Sequence, residues 1–115
     1  MDEQKLKEVK IAVREVERAI VKGKFKKISP NIANSRLTKQ DIKKAIEEYG
    51  GRVTLVSDNA YDNLQPIEVR GSNPKVWAVD FDLWVEGKQS DLTLSLTVTN
   101  VKNKLIAVID DLHIL

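Results

Sequence analysis

The chain has 115 residues, of which 42% are hydrophobic and 31% are charged, with a formal net charge of +2 and no cysteine. A domain of this length buries roughly 65% of the surface that its unfolded chain exposes, which is enough for one core. The missing cysteine excludes disulfide frameworks, thiol nucleophiles and cysteine-ligated metal sites. We therefore expect a single domain over residues 1–115.

The small net charge hides an uneven distribution of charge along the chain. Residues 1–50 carry 13 Lys or Arg against 8 Asp or Glu, which gives +5, whereas residues 51–115 carry 6 against 9, which gives −3. The first residues are charged, and no stretch approaches the roughly 18 consecutive apolar residues of a membrane span. We expect a cytoplasmic protein with no membrane partner.

Two amphipathic helices are predicted in the basic half. Apolar residues recur there at steps of three and four: Leu6, Val9, Val13, Val16 and Ile20. This spacing predicts a helix from about Asp2 to Lys22, which Gly23 ends. Thr38 and Asp41 have the spacing of a capping box and begin a second, shorter helix that Gly50 ends.

The strongest pattern in the acidic half is a β-hairpin in which apolar and polar residues alternate. The apolar set is Trp77, Val79, Phe81, Leu83, Leu92, Leu94, Leu96 and Val98. A two-residue turn at Gly87-Lys88 pairs Phe81 with Leu94 on the apolar face. The same register pairs Asp82 with Thr93 on the polar face, and a slip of one residue would break both sets.

Shorter strands complete the predicted sheet. Candidates are Arg52 to Ser57, Ile67 to Arg70 and a last strand that starts at Leu105 and is interrupted by Asp110 and Asp111, a pair that indicates a bulge. The pattern predicts an α+β domain with two N-terminal helices (residues 1–50) on one face of a four- to five-stranded antiparallel sheet (residues 51–115). This arrangement is similar to cystatin-like and nuclear-transport-factor-like folds.

Acidic residues and one tryptophan are predicted to share the polar face of this sheet. The register places Trp84 beside Asp82 and across from Asp91, as expected for an aromatic anchor of a protein interface. The alternative is that Trp84 packs under the turn-rich segment Asp58 to Gln65. The candidate partner-binding residues are Asp80, Asp82, Trp84, Glu86, Asp91, Asp110 and Asp111.

Signals for catalysis, cofactors and metal ions are weak. His113 is the only histidine, and no serine lies in a nucleophile elbow that it would activate. The sequence contains neither a glycine-rich phosphate loop nor the aspartate spacing of a calcium loop. We therefore predict no enzyme, no catalytic residue, no cofactor and no metal site.

A basic run lies in the loop predicted over residues 24–34. It consists of Lys22, Lys24, Lys26 and Lys27 around Phe25. One aromatic residue without an RNP, KH or helix-turn-helix pattern does not indicate a nucleic-acid site, and solvated lysines are the favoured interpretation.

Three segments carry a family resemblance: Trp77 to Trp84, Ser90 to Thr97 and Ile109 to Leu115. They resemble a group of small bacterial proteins that end in the same hairpin and strand, and proteins of this size and style look like immunity proteins of contact-dependent growth inhibition and related polymorphic toxin systems. The resemblance implies a role in binding and neutralising a cognate toxin domain, with no catalytic residue to transfer. Many nuclease toxins have a basic cleft, which an acidic face would complement.

We expect a monomer or weak homodimer, and the resemblance implies a toxin domain as its partner. The alternative is a small-ligand-binding or enzymatic cystatin-like domain with a pocket between helices and sheet. That alternative needs polar residues on the inward face, where the hairpin places apolar ones.

Overall fold

The computed structural model describes residues 1–25 and 37–115. Two helices precede five strands, and a short 3-10 helix, Asp58–Tyr61, lies between the first two strands. The elements are α1 (Glu3–Lys22), α2 (Lys39–Tyr49), β1 (Val53–Thr54), β2 (Ile67–Glu68), β3 (Trp77–Val85), β4 (Lys88–Val101) and β5 (Lys104–Ile114). The sheet is antiparallel, so the predicted α+β fold is confirmed.

Both helices begin and end at the residues that the sequence indicates. The Asp2 carboxylate accepts a hydrogen bond from the N–H of Lys5 at 2.7 Å, and Gly23 ends α1 in the left-handed conformation. The Thr38 and Asp41 side chains each accept from the other residue's backbone N–H, which confirms the capping box. Most of the predicted loop, residues 26–34 with Lys26 and Lys27, lies outside the described residues.

The sheet has the strand order β1-β3-β4-β5, and β2 also pairs with β3. Because β4 occupies the other side of β3, the strands β1 and β2 share one side of it. β1 opposes Trp84 and Val85, and β2 opposes Trp77 and Ala78. They form one edge strand that is interrupted by residues 55–66. Both observed strands are therefore shorter than the strands predicted from the sequence.

The hairpin turn lies one residue earlier than predicted. Val85 pairs with Lys88, so Glu86 and Gly87 form the turn, with φ angles of 52° and 77°. Positive φ at both central residues is the pattern of a type I′ turn, which matches the strand twist, and only the second of these residues is glycine. The predicted turn at Gly87-Lys88 was therefore wrong.

A bulge in β4 absorbs the difference in register. The predicted pairs hold from Trp77 to Asp82, but Trp84 opposes Gln89 and not Asp91. The three residues 90–92 therefore stand opposite Leu83 alone. The Ser90 hydroxyl donates to the Leu83 carbonyl and accepts from the Leu92 N–H. These two bonds satisfy backbone groups that the interrupted pairing of β3 with β4 leaves without a partner strand.

A second bulge lies at the aspartate pair in β5, as predicted. Ser95 opposes Asp111 and Leu96 opposes Ile109, which leaves Asp110 as the extra residue. Ile109 and Leu112 are both buried although they are three positions apart. Regular alternation would point them to opposite faces, so the bulge is what lets both reach the core.

Helix α1 packs on the inner face of β4 and β5. The inward hairpin residues from Val79 to Val98 are at most 5% exposed: Val79, Phe81, Leu83, Leu92, Leu94, Leu96 and Val98. Burial of this apolar surface is the main stabilising contribution to the fold. Phe25 also lies in the core, 6% exposed and close to the ammonium groups of Lys39 and Lys43.

A buried glutamate that the sequence analysis missed ties α1 to the 3-10 helix. Glu17 is fully buried, and its Oε2 accepts a hydrogen bond from the Tyr61 hydroxyl at 3.1 Å. The Tyr61 ring stacks on Phe81 with a centroid distance of 5.1 Å. Burial raises the pKa of Glu17, and burial together with the Glu17 charge raises the pKa of Tyr61 well above its usual range.

The raised pKa of Glu17 predicts a pH-dependent stability. The folded state holds the proton more tightly than the unfolded chain, so stability is lost as the pH rises from the ordinary pKa of 4.5 through the folded value. Glu17→Gln carries no such charge and should gain stability relative to the wild type over that range. Urea denaturation between about pH 4 and pH 8 measures the difference. The exposed Glu47→Gln is the control, and parallel profiles for wild type and Glu17→Gln would contradict the prediction.

Candidate functional site

The face of the sheet opposite the helices carries a set of acidic side chains. Asp80 and Asp82 alternate with the buried residues of β3, and Asp110 and Asp111 project from the bulge in β5. The central strand β4 lies between the two pairs. Four of the seven predicted partner-binding residues are thus carboxylates on one face, which we call the outer face.

Hydroxyl groups of β4 orient three of these four carboxylates. Three hydroxyls at alternate positions each donate to a carboxylate oxygen: Thr93 to Asp82 at 2.7 Å, Ser95 to Asp80 at 2.9 Å and Thr97 to Asp110 at 2.6 Å. Asp82 also accepts from the Gln89 amide at 2.9 Å. These donors are neutral, so they hold the carboxylates in place without cancelling their charge.

No lysine or arginine in the described ranges forms an ion pair with the four outer-face carboxylates. Within the same ranges, the ionisable side chain in contact with these carboxylates is His113, whose Nδ1 lies 3.1 Å from Asp111 Oδ2. Basic residues of α1 are instead paired with the 3-10 region, Arg14 with Asp58 and Lys10 with Asp62. The outer face therefore keeps a surplus of negative charge.

Trp84 stands at the edge of the outer face, half-buried and not fully exposed. It lines a surface cleft of about 580 Å³ between the 3-10 region and β3. Asp80, Asp82 and Gln89 line the same cleft, together with Asn59 and Asn63 from the opposite wall. Trp84 therefore forms part of the wall of an open cleft beside the Asp58 to Gln65 segment.

Two of the predicted residues do not join this group. Glu86 lies in the hairpin turn, where its Oε1 accepts from the Arg52 N–H at 2.8 Å. Asp91 accepts from the Tyr49 hydroxyl of α2 at 2.6 Å, a bond that raises the pKa of Tyr49. The predicted position of Asp91 across from Trp84 was wrong because the β4 bulge removes Asp91 from the regular alternation.

Asn59, Asn63 and Gln89 are candidate site residues that sequence reasoning missed. The first two lie in a turn-rich segment whose sequence has no period, so no pattern predicts where it docks. Gln89 could have been found by placing the hairpin turn one residue earlier. That turn requires the positive φ seen at Glu86, and it moves Gln89 opposite Trp84.

Several other kinds of site find no support among residues 1–25 and 37–115. These ranges hold no group of three or more His, Cys, Asp or Glu suited to a metal ion. Neither described helix combines the length and the apolar character that crossing a membrane requires. Phe25, the aromatic residue of the basic run, is buried and so is not presented to a nucleic acid.

The hydroxyl-to-carboxylate bond at Thr93 predicts a measurable loss of stability. Thr93 is fully buried although it lies on the outer face, and Thr93→Val keeps its shape while removing the hydroxyl. We expect a loss of about 1–2 kcal/mol in the free energy of unfolding, because Asp82 then loses a donor inside the structure. Thr97→Val, which removes the more exposed bond to Asp110, is the matched control and should lose less. Equal losses in urea denaturation would contradict this role of Thr93.

Comparison with known proteins assigns the chain to a family. No curated protein and no solved structure matches it. A family model described as a domain of unknown function (DUF7668) matches residues 17–115. The match spans Glu17, α2 and the whole sheet, and so includes every residue of the outer face and of the cleft. The chain therefore belongs to the DUF7668 family.

Proposed function

We propose that this protein is a binding protein whose outer face docks a basic domain of a partner, and that it serves as an immunity protein for a bacterial toxin, with a nuclease as the toxin class. The observation that carries the proposal is the set of four outer-face carboxylates, three of which are oriented by neutral hydroxyls and none of which is paired with a described lysine or arginine. Localisation in the cytoplasm, where such a toxin would act, is part of the same proposal.

Electrostatics supports a basic partner. Uncompensated carboxylates on one face produce a negative potential that attracts a positively charged surface and raises its association rate. Because the hydroxyls already hold the carboxylates in place, the side chains lose little conformational freedom on binding. The hydroxyls leave other lone pairs of each carboxylate free to accept charge-assisted hydrogen bonds from a cationic partner.

Trp84 supports a protein as the partner. Tryptophan is enriched among the residues that contribute most to binding at protein interfaces, because it buries a large area with few rotatable bonds. Here it lies half-buried beside Asp82, where its ring adds apolar contact to a charged surface. An apolar anchor among peripheral charges is the usual composition of such an interface.

The chemistry of the outer face favours binding over catalysis. His113 and Asp111 form a pair, but the hydroxyls of Thr93 and Ser95 donate to Asp82 and Asp80 and not to the imidazole. A nucleophile would have to donate to its general base. The apolar inward residues likewise disfavour the alternative of a ligand pocket between helices and sheet.

Co-expression tests the proposal directly. The full chain is expressed with the polypeptide encoded immediately upstream of its gene, and we expect the two to co-purify and the upstream polypeptide to be toxic when it is expressed alone. Co-expression of the protein should restore growth of cells that express the upstream polypeptide. An upstream product that neither binds nor inhibits growth would overturn the proposal.

Charge variants of the outer face should weaken this complex. Asp110→Asn combined with Asp111→Asn is expected to lower the affinity about tenfold or more and to reduce its dependence on salt. The matched control is Asp58→Asn with Asp62→Asn, which changes the net charge equally but lies at carboxylates that Arg14 and Lys10 pair. Calorimetric titration at two salt concentrations measures both effects. Equal losses for the two double variants would contradict docking on the outer face.

A further inference from the structure

The cleft beside Trp84 arises where the edge strand is interrupted. Between β1 and β2 the chain uses twelve residues, 55–66, whereas β3 uses only five, 79–83, to cover the same distance. The extra residues leave the sheet plane, and Tyr61 enters the core against Phe81. Among the described residues no strand pairs with the middle of β3 on this side.

The edge of β3 at this point presents unpaired backbone groups. Val76 accepts from Val69 and Glu86 donates to Arg52, so even-numbered residues of β3 direct their backbone groups toward this edge. Asp80 and Asp82 have the same parity, and no backbone hydrogen bond in the described ranges joins them to residues 55–66. That segment therefore uses neither the N–H groups nor the carbonyl oxygens of these two residues, and the carbonyls are available as acceptors in addition to the carboxylates.

The chemistry of the cleft selects a cation with an extended, planar shape. Its described lining includes two carboxylates and no lysine, arginine or histidine. Trp84, Leu64 and Phe81 line the cleft with apolar side chains, and Asn59 and Asn63 add side-chain amide groups, of which the Asn59 oxygen already accepts from the Ser57 hydroxyl. Carboxylates, carbonyls and an indole in one cleft match a group that donates several hydrogen bonds in a plane and stacks on an aromatic ring.

We infer that this cleft binds the guanidinium group of an arginine side chain of the partner protein. The inference rests on the proposed function for the existence of a basic partner, and it locates the central contact at Asp80, Asp82 and Trp84. The guanidinium stacks on the indole of Trp84 and donates to the two carboxylates. Arginine is preferred over lysine because a lysine ammonium is a strongly hydrated point charge that cannot both stack and donate in a plane.

A small probe tests the cleft without the partner. The ¹⁵N-labelled full chain is titrated with N-acetyl-arginine methylamide and, separately, with its lysine and citrulline counterparts, citrulline being the neutral analogue of similar shape. We expect the arginine probe to shift the Trp84 indole and the Asn59 and Asn63 side-chain amide resonances in a saturable way. The Trp77 indole, at the other end of β3, should not move. Equal shifts with arginine and citrulline, or with arginine and lysine, would overturn the inference.

Variants connect the cleft to the charge of its lining. Asp80→Asn should weaken binding of the arginine probe about fivefold or more, because it removes the charge but keeps a group that can bond Ser95. Glu47→Gln, which removes one exposed carboxylate of α2 outside the cleft lining, is the matched control and should leave the probe affinity unchanged. The dispersion of the amide spectrum shows that each variant is folded. Equal weakening by the two variants would overturn the cleft as the site.

The upstream polypeptide separates failure of this inference from failure of the proposed function. If Asp80→Asn weakens binding of that polypeptide more than Asp111→Asn does, the arginine contact at the cleft and the proposed function are both supported. If the two variants weaken binding of the upstream polypeptide equally, the arginine contact at the cleft is overturned and the proposed function still stands. Saturable binding of the arginine probe by a chain that does not bind the upstream polypeptide overturns the proposed function, while the cleft remains a guanidinium site.

Discussion

A hydrogen bond between two buried ionisable side chains holds the edge of the sheet against helix α1. Burial of the Glu17 carboxyl is costly and raises its pKa, and the Tyr61 hydroxyl offsets part of that cost. The same tyrosine stacks on Phe81 and thereby anchors residues 55–66 in the core. This anchor separates β1 from β2, so the gap in the edge strand and the cleft beside Trp84 both depend on it.

Two bulges then decide which acidic residues share a face. In β5 the extra residue Asp110 lets Ile109 and Leu112 both reach the core, and it places two neighbouring carboxylates on the outer face. In β4 the extra residues carry Asp91 to Tyr49 of α2, away from Trp84. A period of two cannot bury both Ile109 and Leu112, so β5 inserts a residue where its apolar pattern changes parity.

The division of charge along the chain becomes, in part, a division between surfaces. Next to helix α1, two acidic residues of the C-terminal half form ion pairs with basic residues of that helix, Asp58 with Arg14 and Asp62 with Lys10. From the part of the chain that the structure describes, the carboxylates of the outer face receive neutral hydroxyl and amide donors and the neighbouring imidazole of His113, and no lysine or arginine. The negative potential is therefore concentrated on the side of the sheet that the helices leave uncovered.

The sequence by itself determined the helices with their caps, the hairpin register from Trp77 to Asp82 and the bulge at Asp110, because local hydrogen bonds and apolar periodicity decide these features. It also placed Asp80, Asp82, Asp110 and Asp111 on one face. Only the tertiary structure decided the turn at Glu86, the orientation of Asp91 and the burial of Glu17. These depend on which distant groups meet, and a polar residue on a helix or a turn without periodicity carries no local sign of its partner. The cleft beside Trp84 has the same origin, since its two walls come from segments about twenty residues apart that the Tyr61 anchor brings together.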